Sequence, residues 1–496
     1  MSALVVLAVG LGLPGLLPAV AAAGRSPVVV FLAPLIGAGM AAVAALIELG
    51  VPSSLLVNYT VVAVVVNLAV LAWWRVAGRR AWRLTGPAGG WSAAGWSAAT
   101  VVVVAGCVAI PLTALRAHMI GWDANSIWLT HALMVYGGHH QLVTGLQNVA
   151  YQFSNPDYPP LVPASGALAF GFHGLSDLDL APEMTVLLNA CALGAVGTGI
   201  AAAGYGTGFT AGDTGGRWPA RVAGVAGAGA ICLVGFAVSA SFGVEGYTDL
   251  LWGAAAAAAV IWGLVLPTSP RALAVAWAFA AAASLTKNEG LATTLVLLVL
   301  IALRYRPLTM PGSAVRNWAE RAVFVAVPAL PGVAWAGLIR LLGIHDAFFK
   351  SASGESLVTR AEATTVGMAA HLAVAPVALA ALLVGGWLLR GERERARLGN
   401  PVWLWISCIG SLAIIFGTYL IGDLEIHSWL ANSVNRTTIF AQVVLYSELA
   451  IWLVIAADGA FARGTKRVPE VISDPDAADT SGAEGDYTYG RPPVRR

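Results

Sequence analysis

Gly121-Trp122-Asp123 is one of four short polar stretches whose residue types can do chemistry in this apolar chain. An aspartate beside a tryptophan is partly desolvated, and desolvation raises the pKa of a carboxyl toward the range of a general base. Aspartate is also a favoured helix N-cap, so the same residue could instead cap an interfacial helix. The stretch therefore predicts either a base or a cap at Asp123.

The second stretch contains Glu245 and Asp249, four residues apart between two apolar runs. If this segment is helical, both carboxylates lie on one side of the helix, where they could bind a cation or hold a substrate hydroxyl. The alternative is that Thr248 or Asp249 caps the next helix.

The third stretch, Lys287-Asn288-Glu289, joins two unusually short apolar runs, which places its charges near or below the membrane interface. Ionisable residues at that depth are costly and usually face a polar cavity. Lys287 could meet a phosphate there, and Glu289 could pair with Lys287 or another cation. The alternative is a self-contained Lys287–Glu289 pair at a hairpin.

The fourth stretch is Asn435-Arg436-Thr437, at the start of the last apolar run. A guanidinium at this place could hold a phosphate through two parallel hydrogen bonds. Its alternative is an arginine that extends to the interface. His139 and His140 are either loop surface or ligands, and no metal-binding spacing surrounds them, so we predict no metal and no cofactor.

The composition bounds the class of protein that these stretches belong to. Of 496 residues, 58% are hydrophobic and 11% are charged, whereas a soluble domain has about 25% charged residues. This balance excludes an ordinary water-soluble fold. The net charge of +2 gives no argument for a nucleic-acid partner.

Long apolar runs predict membrane-spanning helices, each of which needs about 20 residues. We therefore predict an all-α integral membrane protein with about 13 transmembrane helices, in a range of about 11–14. The predicted runs are Ala3–Ala23, Pro27–Leu49, Ser54–Val76, Ser97–Leu115, Met184–Ala203, Val222–Phe242, Leu250–Leu266, Ala272–Leu285, Leu291–Leu303, Ala322–Leu342, Thr365–Leu389, Val402–Ile421 and Thr438–Ala457.

Arginine clusters in the short loops predict the orientation of the chain, because cytoplasmic loops are enriched in basic residues. If thirteen helices alternate, the clusters share one face, which places the N-terminus outside and the C-terminus in the cytoplasm. The acidic and histidine-bearing loops then face the extracytoplasmic side. The segment Tyr158–Leu175 is apolar but interrupted by prolines, and counting it as a span would put later arginines outside. We predict that it is an interfacial or re-entrant helix.

Three regions follow from this pattern. Residues 1–92 form a three-helix membrane segment. Residues 93–457 form a transmembrane core, in which residues 118–180 are a large extracytoplasmic loop bearing interfacial helices. Residues 458–496 are a polar, disordered cytoplasmic tail.

Taken together, these stretches resemble the GT-C superfamily of membrane glycosyltransferases, most closely its bacterial protein-mannosyltransferase-like branch that uses polyprenyl-phosphate sugars. The resemblance lies in the order and shared face of short motifs between about residue 97 and residue 440. They are Gly121-Trp122-Asp123, the Asp157-Tyr158-Pro159-Pro160-Leu161 stretch before an amphipathic helix, Asp249 and the late Arg436.

The resemblance implies inverting transfer of a sugar from a polyprenyl-phosphate donor to a cell-envelope glycan, glycolipid or protein outside the plasma membrane. Asp123 would be the catalytic base, and the lipid tail would lie between helices. The residues expected to bind substrate are Trp122, Asp157, Tyr158, His139, His140, Glu245, Asp249, Lys287, Asn288, Glu289 and Arg436. Among these, Lys287 and Arg436 would receive the donor phosphate.

The chain departs from the family pattern in two ways. The family usually places its catalytic aspartate after the first helix, whereas here three additional predicted helices precede the one that leads to Asp123. The paired Asp-x-Asp or Asp-Glu pattern that is common in the family is absent at Asp123.

Two other classes fit parts of the sequence. A secondary transporter could use Lys287 and Glu289 as an ion or proton relay, but it should show two hydropathy-related halves, and none are visible. A non-catalytic assembly or lipid-binding partner would not need the carboxylates at all.

Overall fold

The fold is built from helices, because a chain in lipid must satisfy its backbone hydrogen bonds internally. The structure is a computed structural model. It describes residues 2–24, 26–84, 98–107, 121–206, 218–239, 242–267, 269–304, 314–344, 354–395, 398–422 and 424–465, and these ranges contain no β-strand. The prediction of an all-α membrane protein is confirmed.

The helices are α1 (Ser2–Ala23), α2 (Val29–Gly50), α3 (Leu55–Leu84), α4 (Ala98–Cys107), α5 (Thr130–Tyr136), α6 (His139–Gln147), α7 (Leu161–His173), α8 (Leu180–Gly206), α9 (Trp218–Val238), α10 (Asp249–Val265), α11 (Pro270–Ser284), α12 (Asn288–Arg304), α13 (Ala314–Leu341), α14 (Leu357–His371), α15 (Ala375–Leu388), α16 (Arg390–Arg395), α17 (Val402–Ile421), α18 (Ile426–Thr437) and α19 (Ile439–Thr465). A π-helical turn, Ala124–Leu129, leads into α5.

The described residues contain fewer candidate spans than the predicted count of about thirteen. In the described residues, eight helices are long and apolar enough to cross a membrane, or nine if α14 and α15, which meet at 68°, form one broken span. The apolar runs at α10, α11 and α12 are shorter helices of at most 17 residues. Hydropathy does not separate a lipid-facing helix from one enclosed by protein, since both are apolar all round.

Helix α10 lies at the centre of the bundle, and each of its residues is buried. It packs against α8, α11 and α19. Its run of alanines allows these neighbours to approach closely, which is how helices associate in lipid. This packing holds the first residue of α10, Asp249, in a defined position among the surrounding helix ends.

The proline-interrupted segment at Tyr158–Leu175 forms α7, a helix of 13 residues. Residues 161–170 are all buried against α2, α5 and α8. A helix of this length rises about 20 Å, which is less than the hydrocarbon thickness of about 30 Å. It is therefore too short to span, and it is enclosed by protein rather than laid along an interface with one open face.

The bundle has two chemically different ends. Helices α10 and α12 both start at the end that carries Asp249 and Lys287, and each runs for about 25 Å. At their far end, Arg304 of α12 donates to the backbone carbonyls of Gly263 and Leu266. Carboxylates and basic helix termini therefore lie at opposite ends of these helices.

Helix α19 continues through Thr465, so residues 458–465 of the predicted disordered tail are helical. The rest of that tail, the predicted domain boundary at residues 92–93 and the second half of the predicted run Ser97–Leu115 lie outside the described residues.

Candidate functional site

The four polar stretches meet at one end of the bundle because helix ends bring them there. Asp249 begins α10, Asn288 begins α12, and Arg436 lies in the last turn of α18. Asp123 immediately precedes the π-helical turn that leads into α5.

Alternating charges link these stretches into one ion network, which consists of Asp123, Arg436, Asp249 and Lys287. The Arg436 guanidinium lies 2.7 Å from Asp123 Oδ2 through Nη2 and 3.2 Å from Asp249 Oδ2 through Nε. Lys287 Nζ lies 2.8 Å from Asp249 Oδ1. Two carboxylates and two cations balance, which offsets the cost of burying each charge.

The ion network shows which of the two predicted arrangements each of Asp123, Lys287 and Arg436 adopts. Asp123 stands at the N-cap position of its helical turn, but its side chain makes no capping hydrogen bond. Lys287 pairs with Asp249 of another helix rather than forming a hairpin pair with Glu289. Arg436 turns inward to two carboxylates instead of extending to an interface.

Aromatic rings surround the two cations. The Lys287 ammonium lies 5.2 Å from the centre of the Tyr158 ring, which stacks on Trp128 at 5.5 Å. The Arg436 guanidinium lies 4.9 Å from the centre of the Tyr247 ring. A cation over an aromatic face is attracted by the ring quadrupole, so the rings help to hold both side chains in place.

The turn that carries Tyr247 is fixed by Gly121 and by Asn189, and Asn189 was not among the residues predicted from the sequence. Asn189 of α8 donates its side-chain amide to the carbonyls of Gly243 at 3.1 Å and Tyr247 at 2.8 Å. The Gly121 N–H donates to the Glu245 carbonyl at 2.8 Å, and a Cβ at Gly121 would overlap the Tyr247 ring. The signal for Asn189 was a lone amide inside an apolar run, where an unpaired polar group is costly.

Asp157 lies behind the site and hydrogen-bonds to two helices that surround it. Its carboxylate accepts a hydrogen bond from the Asn288 side-chain amide, and its backbone carbonyl accepts one from Trp335 Nε1 of α13 at 2.8 Å. These contacts connect the start of α12 and the last third of α13 to the segment that precedes α7.

A cavity of about 820 Å³ opens beside the ion network. Its lining combines a polar face with apolar residues of α12 and α17, and the residues are Trp122, Asp123, Ile127, Gln152, Phe153, Asn155, Tyr158, Lys287, Asn288, Glu289, Ala292, Ile414, Ile415, Thr418, Tyr419, Leu424, Glu425, Ser428, Trp429, Asn432, Ser433, Arg436 and Thr437. A volume of this size accommodates a small organic substrate.

One wall of the cavity is the polar face of α18. Ser428, Asn432 and Arg436 recur every four residues on this helix, so they share one face. The Tyr419 hydroxyl lies 2.7 Å from Ser433 Oγ, and this joins α17 to the same wall. This wall was not predicted from the sequence, although the four-residue spacing of its polar residues was a usable signal.

Burial raises the pKa of Asp123 above its ordinary value, although the nearby Arg436 and Lys287 oppose that shift. The Asp123 side chain is 9% exposed, against 3% for Asp249. Asp123 is therefore the carboxylate of the network that lines the cavity, and its raised pKa brings it toward the range of a general base.

Seven predicted site residues line the cavity: Trp122, Asp123, Tyr158, Lys287, Asn288, Glu289 and Arg436. Asp249 and Asp157 lie directly behind them and bind Lys287 and Asn288.

The other three predicted residues, Glu245, His139 and His140, are also outside the lining. Glu245 lies in the turn before α10, so it does not share a helical face with Asp249. His139 lies on α6 and donates through Nδ1 to the Glu48 carbonyl at 2.6 Å, while His140 is exposed. Within the described parts of the chain, no three His, Cys, Asp or Glu side chains are grouped as a metal site.

No protein-family model, no curated protein and no solved structure matches this chain.

Proposed function

We propose that this protein is an inverting membrane glycosyltransferase. It moves a sugar from a polyprenyl-phosphate donor to a hydroxyl of a cell-envelope glycan, glycolipid or protein. The resemblance of the sequence to the GT-C superfamily supports this proposal. We further propose that the protein lies in the plasma membrane and that the cavity opens on the extracytoplasmic side. The observation that carries it is a carboxylate and two cations, Asp123 with Arg436 and Lys287, on the wall of one substrate-sized cavity.

The chemistry needs this combination. Asp123 takes the proton of an acceptor hydroxyl while the hydroxyl oxygen bonds to the anomeric carbon of the donor sugar. The bond from that carbon to the phosphate oxygen breaks, and its electron pair stays on the phosphate. Arg436 and Lys287 stabilise this developing negative charge. A single displacement of this kind inverts the anomeric centre.

The lining also suits the other parts of the donor. One carboxylate oxygen of Glu289 is buried without a hydrogen-bond partner among the described residues, so it is available to a sugar hydroxyl. Ala292, Ile414 and Ile415 supply an apolar side for the first units of a lipid chain. The cavity therefore offers polar and apolar contacts side by side.

The proposed side of the membrane follows from the two ends of the bundle. Arg271 at the start of α11 and Arg304 at the end of α12 lie at the end opposite the cavity. Basic residues favour the cytoplasmic face. We therefore propose that the cavity opens outside the cell and that the C-terminus is cytoplasmic.

One observation favours a second candidate, a secondary transporter. The Lys287–Asp249 pair is almost completely buried, with side chains 2% and 3% exposed, and buried ion pairs occur in proton relays. In that case substrate would cross the bilayer unchanged, and flux into liposomes would depend on an ion or pH gradient.

The deciding experiment compares the wild type with Asp123→Asn in nanodiscs, using a panel of polyprenyl-phosphate sugars and membrane acceptors. Removing a general base lowers the rate about 10²–10⁴-fold, so we expect product with the wild type and almost none with a folded variant. Asp177→Asn is the matched control, because it makes the same change in the loop between α7 and α8, outside the cavity.

Equal turnover by wild type and Asp123→Asn would keep the transferase and remove Asp123 as its base. No turnover with any donor, together with gradient-driven flux in liposomes, would replace the transferase with the transporter.

A further inference from the structure

Two cationic side chains line the cavity, and both are already paired with carboxylates. Arg436 holds Asp123 and Asp249, and Lys287 holds Asp249. Two further carboxylates, Glu289 and Glu425, line the same cavity, and its described lining includes no third lysine or arginine. A phosphate that enters the cavity therefore meets two cations that are already paired with carboxylates. It binds well only if one carboxylate gives up its cation.

The two carboxylates on Arg436 are not equally able to do so. Asp249 is 3% exposed, belongs to the fully buried helix α10 and uses each of its oxygens on a different cation. Asp123 makes one ion pair, through Oδ2. It lines the cavity and follows the exposed Trp122 at the start of a helical turn. Asp123 can therefore turn away from Arg436 with less disruption of packing.

We propose that the donor phosphate exchanges with Asp123 on the Arg436 guanidinium, so that donor binding itself releases the base. This inference rests on the proposed function. Before donor binds, Arg436 occupies Asp123 Oδ2, which keeps an acceptor hydroxyl from that oxygen and makes the carboxylate a weaker base than it is without the cation. After exchange, Arg436 holds the phosphate in a charge-assisted contact, and Asp123 is free beside the reacting centre. Asp123 therefore becomes available to deprotonate the acceptor hydroxyl only after the donor has bound.

The exchange makes an unusual prediction, which is that removing the catalytic carboxylate improves binding of the lipid phosphate. The probe is decaprenyl monophosphate without a sugar, titrated into wild type and Asp123→Asn in nanodiscs. Because the phosphate no longer competes for the guanidinium, we expect about tenfold tighter binding by the variant. The same variant has lost turnover, so affinity and activity change in opposite directions.

The control is Glu289→Gln, which removes a negative charge from the same cavity without breaking an ion pair to Arg436. General charge repulsion alone would make both variants bind more tightly by the same factor. Exchange predicts that Glu289→Gln changes affinity by less than about threefold, since Arg436 is paired with Asp123 and Asp249 rather than with Glu289. Asp123→Ala serves as a second variant if Asp123→Asn melts early, and it carries the same expectation.

The outcomes separate the two proposals. Tighter binding confined to the Asp123 variants supports the exchange. Equal or weaker binding by those variants, with measurable binding to the wild type, overturns the exchange and leaves the transferase standing. No binding of decaprenyl monophosphate to any of these proteins overturns both.

Discussion

Two arginines lie near the same end of the bundle, Arg360 buried and Arg436 half-buried, and most of their partners differ in kind. Arg360 of α14 donates to the Tyr419 carbonyl at 2.7 and 2.9 Å, to the Leu424 carbonyl at 2.9 Å and to Glu355 Oε2 at 2.7 Å. Arg436 of α18 meets two carboxylates, and one of them lines the cavity.

The difference separates a structural cation from one that can do chemistry. The Tyr419 carbonyl cannot leave Arg360 without unwinding the end of α17, so these two hydrogen bonds stay in place even if the Glu355 carboxylate rotates away. A carboxylate side chain can leave Arg436 by rotating, and an anion of similar shape can take its place. Burial alone therefore does not indicate whether an arginine is structural or functional. The better indicator is whether its partners can move away from the guanidinium.

The comparison predicts that Arg436→Gln and Arg360→Gln fail in different ways. Without Arg436 the leaving phosphate loses a cation, and we expect turnover to fall about 10²-fold. The melting temperature should fall less than in Arg360→Gln, because Asp249 keeps Lys287 and Asp123 lines the cavity. Without Arg360 a buried ion pair and three carbonyl contacts are lost, which we expect to cost about 3 kcal/mol of stability.

Turnover and thermal melting in detergent, measured on the same preparations, would test this pair. Similar loss of both properties in the two variants would mean that Arg436 is also a structural clamp.

The pH dependence of turnover should distinguish the two regions. Burial raises the pKa of Asp123, and a base acts only when it is deprotonated. We expect kcat/KM to fall about tenfold per pH unit once the pH drops below that raised pKa, which lies above the ordinary aspartate value of about 3.9.

The acid limb of the pH–rate profile should persist in Arg360→Gln and be absent from the residual activity of Asp123→Asn. An acid limb that is unchanged in Asp123→Asn would assign it to another group.

Gly121→Ala perturbs the ion network without removing a charge. A Cβ at this position would overlap the Tyr247 ring, which lies over Arg436. Displacing Tyr247 should shift the guanidinium by a fraction of an ångström, and we expect turnover to fall about tenfold.

Gly171→Ala in α7 is the matched control, because no atom lies within 4 Å of the added Cβ. Wild-type turnover by Gly121→Ala would show that the position of Tyr247 does not matter for the reaction.

The smallest effect is expected for His140→Ala. The sequence placed His140 among the substrate-binding residues, but it is exposed on α6 and does not line the cavity. We expect turnover within about twofold of the wild type, as for most surface substitutions. A large loss would extend the functional surface beyond the cavity, toward α6.

Several features of the fold could be predicted from the chain alone. Apolar length predicted Val402–Ile421 as a span, and α17 has these bounds. The number of spans could not be predicted in the same way. The apolar runs of α10 to α12 are short helices, and hydropathy does not show whether protein or lipid covers them. Residue type also selected Asp123, Lys287 and Arg436, since charged groups next to apolar runs are costly enough to stand out.

Local sequence could not specify which of these charges meet. Glu289 is two residues from Lys287, yet Lys287 binds Asp249 on another helix. Asp123 could have capped its own helix, and it binds Arg436 instead, across more than three hundred residues of chain.

The sequence by itself determined that this protein is a helical membrane protein with a few polar residues that need partners, because lipid provides none. Only the tertiary structure decided the partners, since packing of α8, α10, α12 and α18 sets which helix ends coincide. Asn189 and Tyr419 illustrate the limit: each is an unremarkable polar residue until the fold places it against the turn or the wall that it supports.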